Sequence, residues 1–161
     1  MSGDEAVAVL EVLAVRGLGA WVAGGWAVDA LVGRQTRDHG DLDLAVDAAQ
    51  LPDVLAALAG AGLLLEVDEL PARAVVAAGD GRRVDLHPVA FAADGSGVQR
   101  GHGGTEFSYA ADGFAEGVIE GVRVPCLSAA QQLRFREGYE PRPVDHHDVP
   151  LLRALLTPPA E

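Results

Sequence analysis

The sequence contains no lysine, and all twelve of its basic residues are arginine. No lysine is therefore available to clamp a phosphate or to form a Schiff base, so phosphate contacts fall to arginine, backbone N–H groups or a metal ion. Cysteine is almost as scarce. The single Cys126 excludes an internal disulfide and any metal site built from several cysteines, and we expect it to be a small buried side chain.

Aromatic residues and long apolar runs are also scarce. Aromatic residues make up 5% of the 161 residues, whereas 49% of all residues are hydrophobic, so valine, leucine and alanine must fill the core of one domain. No run approaches the roughly 18 apolar residues of a membrane span, and the first residues do not resemble a secretory signal. We therefore expect a cytoplasmic protein with no membrane partner.

Positive charge is in short supply, since the formal net charge is -12. A protein that follows a nucleic-acid backbone needs a basic surface, so we expect no nucleic-acid partner. An acidic balance suits cationic or metal-bound partners, but it also serves solubility alone, and it does not identify a ligand.

Apolar periodicity and glycine stops predict helices alternating with strands, followed by a helical C-terminus. Ser2 and Glu5 form a capping box ahead of the first helix, and the glycine-rich residues 92–104 are expected to be a loop. We expect a core of residues 1–125 and a helical C-terminal subdomain of residues 126–161. The predicted helices cover residues 4–17, 26–32, 50–61, 128–137 and 144–156, and the predicted strands cover residues 21–23, 41–46, 63–67, 73–78, 84–91 and a hairpin that turns at residues 120–121.

Two carboxylates share one face of the predicted strand 41–46. Asp41 and Asp43 lie two residues apart, so their side chains point the same way. Carboxylates that close repel one another unless a cation lies between them, and hard oxygen ligands favour Mg²⁺. The same pattern also occurs on solvated strand faces, so it does not establish a metal site by itself.

Two further features add to this pattern. Asp85 lies among apolar residues of a predicted strand, and a neighbouring position in the sheet would place it beside the first two carboxylates; an ion pair with Arg82 or Arg83 is the alternative. Gly24 and Gly25 lie where a strand meets a helix. Glycines there let backbone N–H groups and the helix dipole approach an anion, although they can also make room for a neighbouring tryptophan.

The chain resembles the small nucleotidyltransferases that include aminoglycoside 2''-adenylyltransferase and lincosamide nucleotidyltransferase, within the DNA-polymerase-β-like superfamily. The resemblance runs from about residue 21 to 152, through "GGWAVDALVGRQTRDHGDLDLAV", "VDLHP", "VPCLSAAQQLRFREGY" and "DHHD". It implies an α+β nucleotidyltransferase fold, with a mixed β-sheet flanked by helices and a short helical C-terminal segment. Members of this family use Mg²⁺ and a nucleoside triphosphate, usually ATP, to place a nucleoside monophosphate on a hydroxyl group.

The resemblance also implies roles for individual residues. Asp41 and Asp43 match the metal-binding pair, and Asp85 matches a third carboxylate that completes the metal site or acts as general base on the acceptor hydroxyl. Two Mg²⁺ ions about 3.5–4 Å apart can bind the attacking and leaving oxygens together, which suits in-line attack on the α-phosphorus. Gly24 and Gly25 match the turn that contacts the phosphates.

Arg37 and His39 complete the family pattern R-x-H-x-D-x-D and are further candidates for binding the nucleotide. Arg37 could contact the triphosphate or pair with Asp38 or Asp29. His39 could orient neighbouring groups by hydrogen bonds rather than bind metal, since Mg²⁺ disfavours imidazole. Asp29, within the short helix, is expected to have a cap-like role or to pair with Arg37.

Several downstream residues are assigned less specifically. Arg73 could form a salt bridge or contact phosphate, whereas Tyr139 and Arg142 are expected to lock the C-terminal helices together. The stretch "DHHD", from Asp145 to Asp148, is expected to open a helix rather than to form a metal site or the signature of a phosphoesterase.

The function implied is transfer of a nucleoside monophosphate to a small hydroxylated acceptor, with an aminoglycoside or lincosamide antibiotic as the example that the family offers. The resemblance further implies that the chain can pair as a homodimer. The alternatives are a metabolite or a protein side chain as acceptor, as in antitoxin-like nucleotidyltransferases, or a homologue that binds nucleotide without catalysis. A glycosyltransferase that uses its D-x-D motif is a more distant alternative.

Overall fold

The computed structural model describes residues 1–157, and these form helices, strands and two short 3₁₀ turns. The helices are α1 Gly3–Ala14, α2 Gly24–Val32, α3 Leu51–Gly60, α4 Ala129–Arg134 and α5 Pro143–Leu156. The strands are β1 Ala20–Ala23, β2 Leu42–Asp47, β3 Leu64–Glu69, β4 Arg73–Ala77, β5 Arg83–Phe91, β6 Gly97–Arg100, β7 Glu106–Tyr109, β8 Phe114–Ile119 and β9 Val122–Leu127. The 3₁₀ turns are Ala48–Gln50 and His102–Gly104.

The strands form one mixed sheet whose main path runs in the order β3-β4-β5-β2-β1-β9-β8. Strands β2 and β5 are parallel, as are β1 and β9, and the other pairs are antiparallel. The hairpin formed by β6 and β7 leaves this path by pairing with β5. A mixed sheet flanked by helices confirms the predicted α+β class.

The two faces of the sheet are covered differently. Leu42 and Leu44 of β2 belong to the larger core, which side chains from α1, α2 and α3 complete. The opposite face carries Asp43 and Ala45, because side chains alternate along a strand. Ala45 packs in a smaller cluster with Tyr109 of the hairpin. Carboxylates on β2 therefore lie on a face that the hairpin covers only in part.

Local signals predicted several details correctly. The Ser2 hydroxyl accepts a hydrogen bond from the Glu5 amide while the Glu5 carboxylate accepts one from the Ser2 amide, so the capping box at the start of α1 is confirmed. Cys126 is fully buried, and burial, followed by the charge of Glu116, raises the pKa of its thiol to about 12. It is thus an inert packing residue.

The loop predicted over residues 92–104 is wrong in its second half, where β6 forms. Gly97 and Gln99 are buried while their neighbours are exposed, which is the alternation of a strand. Gly97 has no side chain because a Cβ there would meet the Val89 side chain. Glycine, serine and aspartate dominate this segment and indicate a turn, whereas pairing with β5 on one side and β7 on the other determines its conformation.

The predicted boundary between core and subdomain falls at residue 125, and β9 runs through it to Leu127. The division at this position stays a prediction, and residues 158–161 of the subdomain lie outside the described residues. No helix among residues 1–157 is long and apolar enough to cross a membrane.

Candidate active site

The parallel pairing of β2 with β5 places Asp43 directly opposite Asp85. Each of Asp43, Asp85 and His87 offers a ligand atom, and these three atoms lie within 4.8 Å of one another. Among residues 1–157, this is the one group of three or more His, Cys, Asp or Glu side chains that could hold a metal ion. Asp41 lies in a bend one residue before β2, outside this group. The structure thus brings together two of the three predicted carboxylates and adds a histidine.

The electrostatics of these carboxylates favour a cation. Burial raises the pKa of Asp41, and the charges of Asp43 and Asp85 raise it further. Burial also raises the pKa of Asp85; the charge of His87 and the charge and hydrogen bond of Arg73 lower it, the charge of Asp43 raises it, and the net shift is upward. The Oδ1 atom of Asp85 is buried and has no hydrogen-bond partner. A divalent cation with oxygen ligands would relieve both the repulsion and the unpaired oxygen, so these residues fit a Mg²⁺ site.

Arg73, whose role the sequence left open, holds the other oxygen of Asp85. Its Nη1 donates to Asp85 Oδ2 at 2.6 Å, and its Nε donates to Glu69 Oε2 at 2.7 Å. The alternative partners considered for Asp85 are engaged elsewhere, since Arg82 pairs with Asp80 and Arg83 with Glu66. Arg73 therefore orients Asp85 from the first position of β4.

The turn at Gly24 and Gly25 lies against the same site. Gly24 has a φ of +59°, and a Cβ there would meet Oδ2 of Asp43. A Cβ on Gly25 would meet the Arg37 guanidinium and lie 2.7 Å from His39 Nδ1. The pair is thus glycine because a carboxylate, a guanidinium and an imidazole approach closely; space for a neighbouring tryptophan, the alternative considered, is not the reason.

Arg37 and His39 are both engaged by other side chains. Arg37 donates from Nε and Nη2 to the two oxygens of Asp148 on α5, at 3.0 Å each. His39 is buried, accepts at Nδ1 from Arg37 Nη1 at 3.2 Å and donates from Nε2 to Asp29 at 2.6 Å. The Asp29 carboxylate also accepts from the Thr36 hydroxyl. The partners of Arg37 and Asp29 therefore differ from those that the sequence suggested.

Tyr139 and Arg142 hold the segment before α5 against the first turn of that helix. The Tyr139 hydroxyl donates to Asp145 at 3.1 Å, and Arg142 donates to it from its backbone N at 2.9 Å and from Nε at 3.1 Å. Burial opposes ionisation of Asp145, but these hydrogen bonds and the charge of Arg142 lower its pKa to about 2. The two aspartates of "DHHD" thus pair with arginines. Within residues 1–157, the side chains of "DHHD" do not form a group that could hold a metal ion.

Three polar residues of the site were missed by sequence reasoning. His87 lies two positions after Asp85 and therefore on the same face of β5, which was a usable signal. Gln99 and Tyr109 lie on the hairpin, where a loop or no element was predicted, and no local signal pointed to them. Burial lowers the pKa of His87, but its hydrogen bond to Asp43 and the charges of Asp43 and Asp85 raise it above its ordinary value.

A cleft of about 610 Å³ opens from these groups. Its lining comes from the hairpin, from α4 with the segment that follows it, and from the edge where Gly24 and Asp43 lie. The residues that line it are Ala23, Gly24, Asp43, Ala72, Arg73, His87, Gln99, Gly101, His102, Thr105, Phe107, Tyr109, Leu127, Gln132, Phe135, Arg136, Tyr139 and Arg142.

Comparisons with known proteins agree with this geometry. The family model of aminoglycoside-2''-adenylyltransferase matches residues 5–152. A lincosamide resistance protein of Staphylococcus haemolyticus is 33% identical over 135 residues, which cover 84% of each chain. The lincomycin-bound crystal structure of the lincosamide adenylyltransferase LnuA is 31% identical, with a TM-score of 0.83 over 94% of this chain and 96% of that one.

A second solved structure, ANT(2'')-Ia in complex with adenylyl-2''-tobramycin, is 25% identical and superimposes with a TM-score of 0.73, over 92% of this chain and 86% of that one. The family match and the identity to the lincosamide resistance protein each extend over most of the sequence. This chain belongs to the aminoglycoside-2''-adenylyltransferase family and is a nucleotidyltransferase.

Proposed function

We propose that the protein transfers AMP from ATP to a hydroxyl group of a small antibiotic, with two Mg²⁺ ions as cofactors. The observation that carries the proposal is the register of β2 and β5, which places Asp43 opposite Asp85 and beside the glycine turn at Gly24. Carboxylates next to a turn that admits an anion are the requirement of metal-assisted phosphoryl transfer.

We assign Asp41, Asp43 and Asp85 to the metal site. For Asp85 the support is its buried and unpartnered Oδ1, with Oδ2 held by Arg73. For Asp41 the support is its raised pKa, since burial and then the charges of Asp43 and Asp85 disfavour its charged form, which a cation would stabilise. When bound, the metal ions neutralise charge that develops on the phosphate oxygens.

We assign the triphosphate to the turn at Gly24 and Gly25. Helix α2 starts at Gly24, its N-cap makes no side-chain hydrogen bond, and its first turn contains no acidic residue, so its N–H groups suit a phosphate. Arg37 lies against Gly25 and supplies positive charge there. His39 holds Arg37 through Nδ1, so in this proposal it shapes the nucleotide site without binding metal.

The cleft favours an acceptor with an apolar part and little positive charge. Its lining contains three arginines but only one carboxylate, Asp43, together with aromatic side chains such as Phe107 and Phe135. A polycationic aminoglycoside would bring several amines to a lining with one carboxylate, whereas a lincosamide, with its single amine and alkyl chain, suits that lining better. We therefore propose a lincosamide-type acceptor, in line with the lincosamide resistance protein among the relatives.

Pyrophosphate release from ATP with Mg²⁺ tests this proposal across lincomycin, tobramycin and unrelated alcohols. We expect release with lincomycin, and Asp41→Ala or Asp85→Asn should each lower it at least about 100-fold, because each removes a carboxylate from the metal site. Asp53→Asn, on the exposed start of α3, is the control. Release that survives both substitutions would refute the assigned roles, and release only with tobramycin or with another alcohol would move the acceptor to that class.

The same proposal includes a cellular location and an oligomeric state. An enzyme that consumes ATP works where ATP is abundant, which supports a cytoplasmic location. The homodimer implied by the family is tested by light scattering of the purified protein, where a monomeric mass at working concentration would contradict it.

A further inference from the structure

His87 lies in the middle of a chain of hydrogen-bonded side chains that ends on Asp43. The Tyr109 hydroxyl donates to Gln99 Oε1 at 2.7 Å. Gln99 Nε2 lies 3.2 Å from the Ala72 carbonyl oxygen and 3.2 Å from His87 Nδ1. His87 Nε2 lies 3.2 Å from Oδ1 of Asp43. Both Gln99 and Tyr109 are buried.

The carbonyl of Ala72 determines the direction of every bond in this chain. A backbone carbonyl can only accept, so the Gln99 atom facing it must be the N–H₂ group, and Oε1 must face Tyr109. Burial, and then the charge of Asp43, raises the pKa of Tyr109, so its hydroxyl keeps its proton and can donate. The second N–H of Gln99 then points at His87 Nδ1, which must accept with its lone pair.

The ring proton of His87 consequently resides on Nε2, the atom that faces Asp43. A nitrogen that carries a proton has no lone pair for a metal ion, although Nε2 lies among the ligand atoms of the carboxylate cluster. An imidazolium form would need a second N–H on Nδ1, opposed to the N–H of Gln99. The carboxylates of Asp43 and Asp85 favour that charged form, and Gln99 disfavours it.

The two oxygens of Asp43 have different surroundings. Oδ1 accepts from His87, and Oδ2 lies where a side chain on Gly24 would otherwise be. A carboxylate held at one oxygen presents the other in a defined direction, here toward the turn that we assign to the triphosphate.

We propose that His87 is a positioning residue: Gln99 and Tyr109 hold it as the Nε2–H tautomer, and its hydrogen bond to Asp43 Oδ1 directs Oδ2 toward the glycine turn. The assignment of a nucleotide and a metal ion to that turn rests on the proposed function, whereas the tautomer and its cause do not. In this arrangement the cation site is formed by carboxylates alone, and the imidazole supports it from outside.

Nitrogen-15 NMR of the histidine rings tests the tautomer without any turnover. In the metal-free protein, at a pH high enough for the ring to be neutral, we expect His87 to show a protonated Nε2 and an unprotonated Nδ1, and addition of MgCl₂ should not move the proton. His87→Gln assigns the signal by its loss. A neutral ring with its proton on Nδ1, or transfer of the proton to Nδ1 when Mg²⁺ is added, would each overturn the proposal, because the first contradicts the direction of the hydrogen bonds and the second indicates coordination through Nε2.

Variants then test whether His87 positions the Asp43 carboxylate. His87→Leu removes the N–H that donates to Asp43 and should lower nucleotidyl transfer about 10- to 100-fold and weaken Mg²⁺ binding, as removal of groups that orient metal ligands does. His87→Gln keeps an N–H near the position of Nε2 and should recover most of the loss. Gln99→Leu should lower transfer about tenfold and disturb the His87 tautomer, while Tyr109→Phe should have a smaller effect in the same direction.

His146→Gln, an exposed histidine of α5, is the matched control and should leave transfer and Mg²⁺ binding unchanged. Equal activity of His87→Leu and the wild-type protein, or equal loss in His87→Leu and His87→Gln with both variants folded, would overturn the positioning role. If the wild-type protein itself transfers no nucleotide to any acceptor, the proposed function fails, and the NMR result still decides the tautomer.

Discussion

Gly24 illustrates how one residue serves backbone geometry and chemistry together. Its φ of +59° is in the left-handed region, and its missing side chain leaves room for the Asp43 carboxylate. Gly33, at the other end of α2, has a φ of +81° and caps the helix, but a Cβ there would meet nothing within 4 Å. Both glycines adopt a positive φ, but only at Gly24 would a side chain also collide with a carboxylate.

This difference gives a matched pair of variants. Gly24→Ala and Gly33→Ala should each lower the free energy of unfolding by about 1–2 kcal/mol, the cost of a left-handed alanine. Only Gly24→Ala should also lower nucleotidyl transfer, by at least about tenfold, because its Cβ displaces a carboxylate of the site. Urea denaturation and pyrophosphate release measure the two effects. Equal activity of the two variants would show that close approach at Gly24 does not matter.

Among the elements, the hairpin of β6 and β7 depends on one buried side chain of α4. Gln131 is fully buried; its Nε2 donates to the Ser108 carbonyl at 2.9 Å, and its Oε1 accepts from the Ala110 amide at 2.9 Å. Tyr109 lies between these two residues, so the same amide that docks the hairpin also positions the start of the chain that leads to His87.

We expect Gln131→Leu to loosen the hairpin more than any other element. It leaves two backbone groups without partners, which costs about 1–3 kcal/mol for each one that stays buried. Hydrogen exchange should become faster at the amides of β6 and β7. Nucleotidyl transfer should fall because Gln99 is no longer held against His87. Gln50→Leu removes a single bond to the Gly19 amide, far from the hairpin, and should leave that exchange unchanged. Unchanged exchange in Gln131→Leu would contradict this account.

The elements also differ in how well local pattern predicts them. Helices α1, α3 and α5 have amphipathic periodicity and caps such as Ser2, so their positions were predicted within a few residues. Strand β6 was missed because its composition favours a turn, and only its partners on both sides make it a strand. Strand pairing is a long-range contact, and no local window contains it.

For the whole molecule, stability and activity make opposite demands on the same carboxylates. The pKa of Asp41 is raised in the folded protein, so the folded state binds more protons than the unfolded state just above the ordinary pKa of 3.8. The free energy of unfolding of the metal-free protein therefore falls as pH rises through the interval between the unfolded and the folded pKa. A bound cation would reverse that loss.

Asp41→Asn should accordingly stabilise the metal-free protein at pH 7 while it abolishes transfer. The gain should shrink as pH falls toward 3.8, where the wild-type carboxyl also becomes neutral. Added Mg²⁺ should raise the melting temperature of the wild-type protein more than that of the variant. Thermal unfolding with and without a chelator measures both differences, and a less stable variant under metal-free conditions would contradict the repulsion inferred here.

The sequence by itself determined which groups are available for the chemistry and what family the chain resembles. Asp41, Asp43 and Asp85, the two glycines and the absence of lysine are local facts, and they predict a metal and phosphate site without any structure.

The tertiary structure alone decided how those groups are oriented. The register of β2 against β5 pairs Asp43 with Asp85, the hairpin brings Gln99 to His87, and α5 returns Asp148 to Arg37 across 111 residues of sequence. Each of these contacts joins distant segments, so its geometry follows from strand register and the packing of side chains rather than from any short stretch of sequence.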